Sequence, residues 1–282
     1  MQQIIFNGAT ADATVEQIKR EGPCAMVKHH LHGAYEIYYL LSGDLSYFIE
    51  KETYHLEKGG LVFINEGRIH RTTYNPAIRH ERILIELDTH FMEKMEQLFP
   101  SLSFTSLLSG HGFVFQLPAE EQERVEGLLF GIIRELRDKK TGFAESAQVS
   151  LMELTLFMLR KSAENEPSAP PIRNAQYQKV YEITNYIMEN YQTLNSLQNL
   201  CDHFYLNKYY LCHIFKQVTG LTVKEYINAI RIKNAKELLA SREDTITTIS
   251  QAVGYDSVTH FDRVFKEYTG ISPLQYRKLH IQ

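Results

Sequence analysis

The feature that most restricts how this chain can fold is a repeat. Residues 210–220 read Tyr-Leu-Cys-His-Ile-Phe-Lys-Gln-Val-Thr-Gly, and residues 260–270 read His-Phe-Asp-Arg-Val-Phe-Lys-Glu-Tyr-Thr-Gly. Both contain Phe-Lys-x-x-Thr-Gly. Both continue with an aliphatic residue, a hydroxyl residue and then a tyrosine: Leu221, Thr222 and Tyr226 in the first, Ile271, Ser272 and Tyr276 in the second. Self-similarity at a fixed offset marks a repeated structural unit. Two copies are too few for a solenoid, so the pattern predicts one supersecondary unit duplicated within a domain.

Each copy has helical spacing. In the first, Leu211, Phe215 and Val218 share a face, while Lys208, Tyr209, Cys212, His213 and Lys216 fall largely on the other. A shorter helix with Leu197, Leu200 and Cys201 precedes it, and Ser196 and Asn207 are the expected caps. In the second copy Thr245 is expected to cap residues 246–253, and Gly254 to supply a turn of positive φ. Asp256 or Ser257 then caps a helix with Phe261, Val264, Phe265 and Tyr268 inward and Val258, Thr259, His260, Asp262 and Arg263 outward. Two short helices joined by a tight turn, the second polar on its outer face, make a helix-turn-helix. The second helix of such a motif enters the major groove. Ile230, Ala235, Leu238 and Leu239 predict a long helix that holds the two units at a fixed separation.

In order and spacing, residues 177–279 resemble the DNA-binding domain of the AraC/XylS family of bacterial transcription regulators. The resemblance is carried by Leu211, Phe215-Lys216 and Thr219-Gly220, then by Arg231, Ala235 and Leu238-Leu239. In the second unit it is carried by Ile249, Val253-Gly254-Tyr255, Phe261, Arg263, Phe265-Lys266, Gly270, Pro273 and Tyr276-Arg277. Cys201 and Ser250 stand where Ala is usual and Tyr255 where Phe is, swaps that preserve packing. The resemblance implies a non-enzymatic, sequence-specific regulator of transcription controlled by a small-molecule effector, often a sugar or related carbon source. Its base-reading positions carry over to Tyr209, Cys212 and His213, and to Val258, Thr259, Asp262 and Arg263. Arg263 suits a bidentate contact with guanine. Lys208, Lys216 and Lys266 are expected at phosphates, which position without specifying. Plainer roles compete: Tyr209 can pack on the sugar-phosphate backbone, and Asp262 can orient Arg263 without touching a base.

Charge divides the chain as this reading requires. Residues 1–171 carry 17 Lys+Arg against 24 Asp+Glu (17 − 24 = −7), and residues 172–282 carry 13 against 10 (13 − 10 = +3). An acidic front and a basic back suit a domain without nucleic acid joined to one that binds it. Three scattered cysteines, Cys24, Cys201 and Cys212, fit a reducing cytoplasm. No run of 18 apolar residues and no N-terminal basic and apolar leader are present, so neither a membrane span nor a signal peptide is expected.

Residues 24–87 alternate short β-branched and aromatic runs with Gly, Asn and Asp turns, which argues for a sandwich or barrel. His30-x-His32, Glu36 and Gly43, followed by Gly59, Asn65, Gly67 and His70, resemble the two signature motifs of the cupin superfamily, with Asn65 where Pro is usual. That resemblance implies a small β-barrel. In the family's enzymes the matched positions bind a transition metal, and His30, His32, Glu36 and His70 would be the ligands here. Attached to a DNA reader, the same residues with Tyr38 instead line an effector pocket, and no cofactor or metal is expected. The rival readings are a cupin metalloenzyme with an accessory DNA domain, and a constitutive DNA binder with a vestigial barrel.

Val125, Leu128, Leu129, Ile132, Ile133 and Leu136 form one helical stripe over residues 119–138, and residues 144–161 are apolar nearly all round. This pair either caps the barrel or forms a dimer interface. Residues 162–175 are polar with three prolines and read as a linker. The expected architecture is α+β with two domains. Residues 1–165 form a cupin-like barrel with a helical pair, 166–176 a linker, and 177–282 an all-α domain of two helix-turn-helix units. The expected partners are double-stranded DNA, an effector, a second copy of the chain and, for an activator, RNA polymerase.

Overall fold

A computed structural model describes residues 2–21, 34–73, 79–102, 113–163, 171–172, 174–241 and 243–280. Within them lie nine strands: β1 (Gln2–Ala9), β2 (Ala13–Arg20), β3 (Tyr35–Ser42), β4 (Asp44–Ile49), β5 (Glu52–Glu57), β6 (Gly60–Ile64), β7 (His70–Thr73), β8 (His80–Leu87) and β9 (Phe113–Gln116). They form a six-stranded antiparallel sheet ordered β1-β2-β8-β3-β6-β9 and a three-stranded one ordered β5-β4-β7. β1, β2 and β9 lie outside residues 24–87, where the sequence leads one to expect strands. His30 and His32 lie outside the described residues.

Side-chain alternation along the strands builds the layers. On β3, Ile37 and Tyr39 face one way, into a core shared with helices. Tyr38 and Leu40 face the other way, into the space between the sheets, with Leu45, Tyr47, Ile49, Leu56, Val62 and Ile64. A strand buried on both faces has no polar side to show, which is why Tyr-Glu-Ile-Tyr-Tyr-Leu-Leu reads as an almost continuous apolar run. Gly43 turns β3 into β4 at φ +92, and a Cβ there would sit 2.6 Å from the Arg79 carbonyl, so only glycine fits.

Among the described residues α1 (Thr89–Leu98) follows β8, and α2 (Ala119–Asp138) and α3 (Phe143–Ala163) follow β9. α2 buries Val125, Leu129, Ile132, Ile133 and Leu136, the stripe expected from its spacing. α3 buries Leu151, Leu154, Phe157 and Met158 but leaves Val149 65% exposed. It is therefore not buried all round, because only one side meets α2 and the sheet.

The remaining helices are α4 (Ala175–Asn190), α5 (Leu197–Phe204), α6 (Lys208–Thr219), α7 (Val223–Ser241), α8 (Ile246–Ala252), α9 (Val258–Thr269) and α10 (Pro273–His280). Part of the stretch expected as a linker is described. Pro171 bridges to Tyr54, the Ile172 amide donates to the Thr53 carbonyl, and Asn174 caps α4. The helices share one core, and two barrel residues, Phe48 and Ile69, belong to it. The order of layers is thus helical pair, large sheet, barrel interior, small sheet, helical domain. No helix among the described residues is long and apolar enough to cross a membrane.

Candidate nucleic-acid interface and effector cavity

Local chemistry sets both helix-turn-helix units. Ser196 and Asn199 form a reciprocal capping box at the start of α5, and Asn207 caps α6 through the Tyr210 amide at 2.8 Å. In the second unit Thr245 caps α8, and of the two candidates Ser257, not Asp256, caps α9. The second turn uses Gly254 at φ +91, whereas the first places Tyr205 at φ 54. That costs a non-glycine residue some strain, and Tyr205 is left 95% exposed beside α6.

The outward faces match the expected ones except at His260, which is half-buried against Tyr255. Lys208, Tyr209, Cys212, His213 and Lys216 are exposed on α6, over buried Leu211, Ile214, Phe215 and Val218. On α9, Thr259, Asp262, Arg263 and Lys266 are exposed and Val258 is half-buried, over Phe261, Val264 and Phe265. The Tyr209 and His213 rings lie parallel, 2° apart in tilt, one turn apart on α6. Arg263 lies 3.9 Å from Glu267, one turn further along α9, so a carboxylate other than Asp262 flanks it. Cys212 of α6 and His260 of α9 line one groove of about 530 Å³ together with Lys224, Asn228 and Arg231 of α7. His260 is held below the ordinary histidine range by burial, then by Arg263, Lys224 and Arg231. Those cations make the groove between the two helices a place suited to a polyanion.

Arg231 fixes one unit against the other. Its Nε and Nη2 donate to the Tyr191 carbonyl at 2.9 and 2.8 Å, and Nη2 also to the Leu194 carbonyl at 3.0 Å. The guanidinium lies 5.2 Å from the centre of the Tyr255 ring in the second turn. Tyr255 and Tyr268 in turn donate to Asn228 Oδ1 and the Glu225 carbonyl on α7.

Inside the barrel, Glu36, Tyr38, Tyr47, His70, Thr72, Arg82 and Leu84 surround a cavity of about 20 Å³. Glu36 accepts from Tyr47 Oη at 2.8 Å and faces His70 Nε2 at 3.1 Å. His70 Nδ1 lies 2.8 Å from the Arg68 carbonyl, which only accepts, so that nitrogen carries a proton. Arg82 donates from Nη2 to Glu16 at 2.9 Å, while its buried Nη1 faces no acceptor among the described residues. Of the pocket residues expected from the sequence, Glu36, Tyr38 and His70 meet here. Tyr47, Thr72 and Arg82 were not foreseen; alternation along β4, β7 and β8 is the signal that points them inward. Among the described residues no three His, Cys, Asp or Glu side chains converge as metal ligands.

Comparison with known proteins gives two family matches. The AraC-like ligand binding domain matches residues 24–154, and a helix-turn-helix domain matches residues 200–279. The chain is 27% identical over 277 residues to the melibiose operon regulatory protein of Escherichia coli (strain K12), covering 93% of this chain and 87% of that protein. It is 28% identical over 223 residues to the arabinose operon regulatory protein of the same strain, covering 78% and 72%. Aligned with the structure of ToxT from Vibrio cholerae, it covers 96% of this chain and 99% of that one, at 15% identity and a TM-score of 0.40.

Proposed function

Because the chain belongs to the AraC/XylS family of bacterial transcription regulators, DNA-binding proteins with an N-terminal effector-binding domain, we propose that it controls sugar-utilisation genes in response to a sugar held in the barrel. The observation that carries the sugar reading is the cavity lining. Tyr38 and Tyr47 supply two aromatic rings set edge to face, Glu36 and His70 a paired acceptor and donor, and Arg82 a buried Nη1 donor with no acceptor among the described residues. Aromatic faces suit the C–H surface of a sugar, and a few fixed polar groups suit its hydroxyls. The two relatives named above regulate the melibiose and arabinose operons.

Tyr209, Cys212 and His213 of α6, and Val258, Thr259, Asp262 and Arg263 of α9, read bases in this proposal, with Lys208, Lys216 and Lys266 on phosphates. The helices enter successive major-groove segments, about 34 Å apart along the duplex. The protein acts as a dimer through α2 and α3, which leave Phe130 and Val149 exposed on the single chain. If it is an activator, the dimer contacts RNA polymerase, and it works in the cytoplasm.

The test is the melting temperature of the full chain against melibiose, raffinose, arabinose, galactose, sugar acids and divalent metals. Selective binding stabilises the fold by mass action. A shift with one sugar, abolished by Glu36→Gln, supports the proposal. A shift with metals alone overturns it in favour of the cupin metal site.

A further inference from the structure

The small sheet is a single layer with two different jobs on its two faces. On β7, His70 and Thr72 line the cavity. The alternate residues Arg71 and Thr73 face the end of the first recognition helix: a Cβ added at Gly220 would meet Arg71 Cδ at 2.7 Å and Thr73 Oγ1 at 3.1 Å. On β4, Tyr47 lines the cavity, while Phe48 packs edge-on against Tyr226 of α7 with ring centres 6.1 Å apart. The period of two along a strand therefore places cavity and DNA reader on opposite sides of one sheet.

The turn after β4 fastens this wall to α7. Glu50 is 2% exposed and sits at φ 53, a strained conformation for a residue with a Cβ. Its carboxylate accepts from Lys233 Nζ at 2.9 Å and from Arg68 Nη1 at 3.3 Å, and its carbonyl accepts from Tyr226 Oη at 2.6 Å. Arg68 also supplies the carbonyl that His70 Nδ1 holds, and His70 pairs in register with Ile49 beside Glu50. A short run of contacts thus leads from Glu36 through His70 and Arg68 to Glu50, and from there to the helix joining the two recognition units.

We propose that the β5-β4-β7 sheet transmits the state of the cavity to the DNA-binding domain, and that Glu50 is the latch by which it grips α7. The proposal rests on the sensor reading of the cavity. At about 20 Å³ the cavity is far below the ~300 Å³ at which ligand clefts begin. A sugar enters only by displacing the Glu36–His70–Tyr47 cluster, whose strands carry the latch. Occupation therefore loosens the grip on α7. A cavity of about 210 Å³ beside the latch, bordered by Glu50, Tyr191, Tyr226 and Lys233, gives the turn room to move.

Hydrogen–deuterium exchange by mass spectrometry on the full chain tests this without DNA or sugar, so a failure to find an effector leaves its outcome untouched. Glu50→Gln and, from the other side of the contact, Lys233→Met are each expected to speed exchange at least tenfold in residues 44–52 and 223–241, with β2 and β8 unchanged. His70→Phe, at a residue that lines the cavity, is expected to speed exchange in 223–241 as well. Tyr38→Phe alters the cavity from the large sheet and is expected to leave 223–241 as in the wild type. Unchanged exchange of α7 in both Glu50→Gln and Lys233→Met overturns the latch. An effect of His70→Phe confined to the barrel, or an equal effect of Tyr38→Phe on α7, overturns transmission through the small sheet.

Discussion

The Tyr226 hydroxyl donates to the Glu50 carbonyl over 2.6 Å, tying the helix between the two recognition units to the tip of a barrel hairpin. Both residues are buried. Burial, with the Glu50 charge adding, holds the Tyr226 phenol well above its ordinary range, so it remains a donor throughout the pH range of the folded protein. Tyr226→Phe keeps the ring packing on Phe48 and Phe215 and removes only this donor. Loss of a partner from a buried polar group costs about 1–3 kcal/mol. At about 2–4 °C per kcal/mol for a chain near this size, the melting temperature should fall by several degrees. An unchanged melting temperature would mean that the hydroxyl makes no buried bond in solution.

Base reading and phosphate contact predict different signatures. Arg263→Ala should cost about 1–3 kcal/mol of discrimination between the preferred sequence and its single-base variants, measured by fluorescence anisotropy on duplexes selected from a random pool. Lys216→Ala should weaken binding to all duplexes alike and reduce the slope of log K against log[salt] by about 1. If Arg263→Ala leaves discrimination intact, the outward face of α9 is not the reading face.

Arg231 should behave as a clamp and not as a DNA contact. It bonds the Tyr191 and Leu194 carbonyls and covers Tyr255. Arg231→Lys keeps a cation but cannot reproduce the fork. With hydrogen bonds to charged groups at about 1.5–3 kcal/mol each, it should destabilise the chain by about 2–4 kcal/mol in urea unfolding. Retention of full stability would place its role at the DNA instead.

What could be read in the sequence is what is decided locally. Asn207, Ser196 and Thr245 announce helix starts through bonds to amides two or three residues away, and they cap as expected. Gly254 announces its positive φ for the same reason. What depends on distant pairing was hidden. β2 breaks its alternation at the buried Gln17 and Arg20, and becomes a strand by pairing with β8, about 60 to 74 residues away. Alternation along β4 and β8 puts Tyr47 and Arg82 each on one face of its strand, but only the distant pairing of those strands makes that face the cavity side. Glu50-Lys51-Glu52 reads as a charged turn, whereas in the fold Glu50 is buried and paired with Arg68 and with Lys233 of α7. His30 and His32, prominent in the cupin-like motif, lie outside the described residues, so the structure speaks only for Glu36 and His70.

His80 sets a pH dependence whose sign follows from its surroundings. It pairs with Arg20 across β2 and β8 and is 2% exposed. Burial, then the charges of Arg20 and Arg82, lower its pKa from 6.5 to about 4. Between those values the unfolded chain binds a proton that the folded chain refuses, so folding is opposed more strongly as pH falls. The contribution is full above about pH 6.5 and is lost as pH falls toward 4. The difference between 6.5 and about 4 corresponds to at most about 3.5 kcal/mol at ~1.4 kcal/mol per pH unit. Denaturant midpoints measured from pH 7.5 to 4.5 should therefore decline in the wild type and decline less steeply in His80→Gln. The difference between the two curves isolates this group from the carboxylates that titrate in the same range. Parallel curves would show that the imidazole is protonated in the fold, and that Arg20 and Arg82 do not govern it.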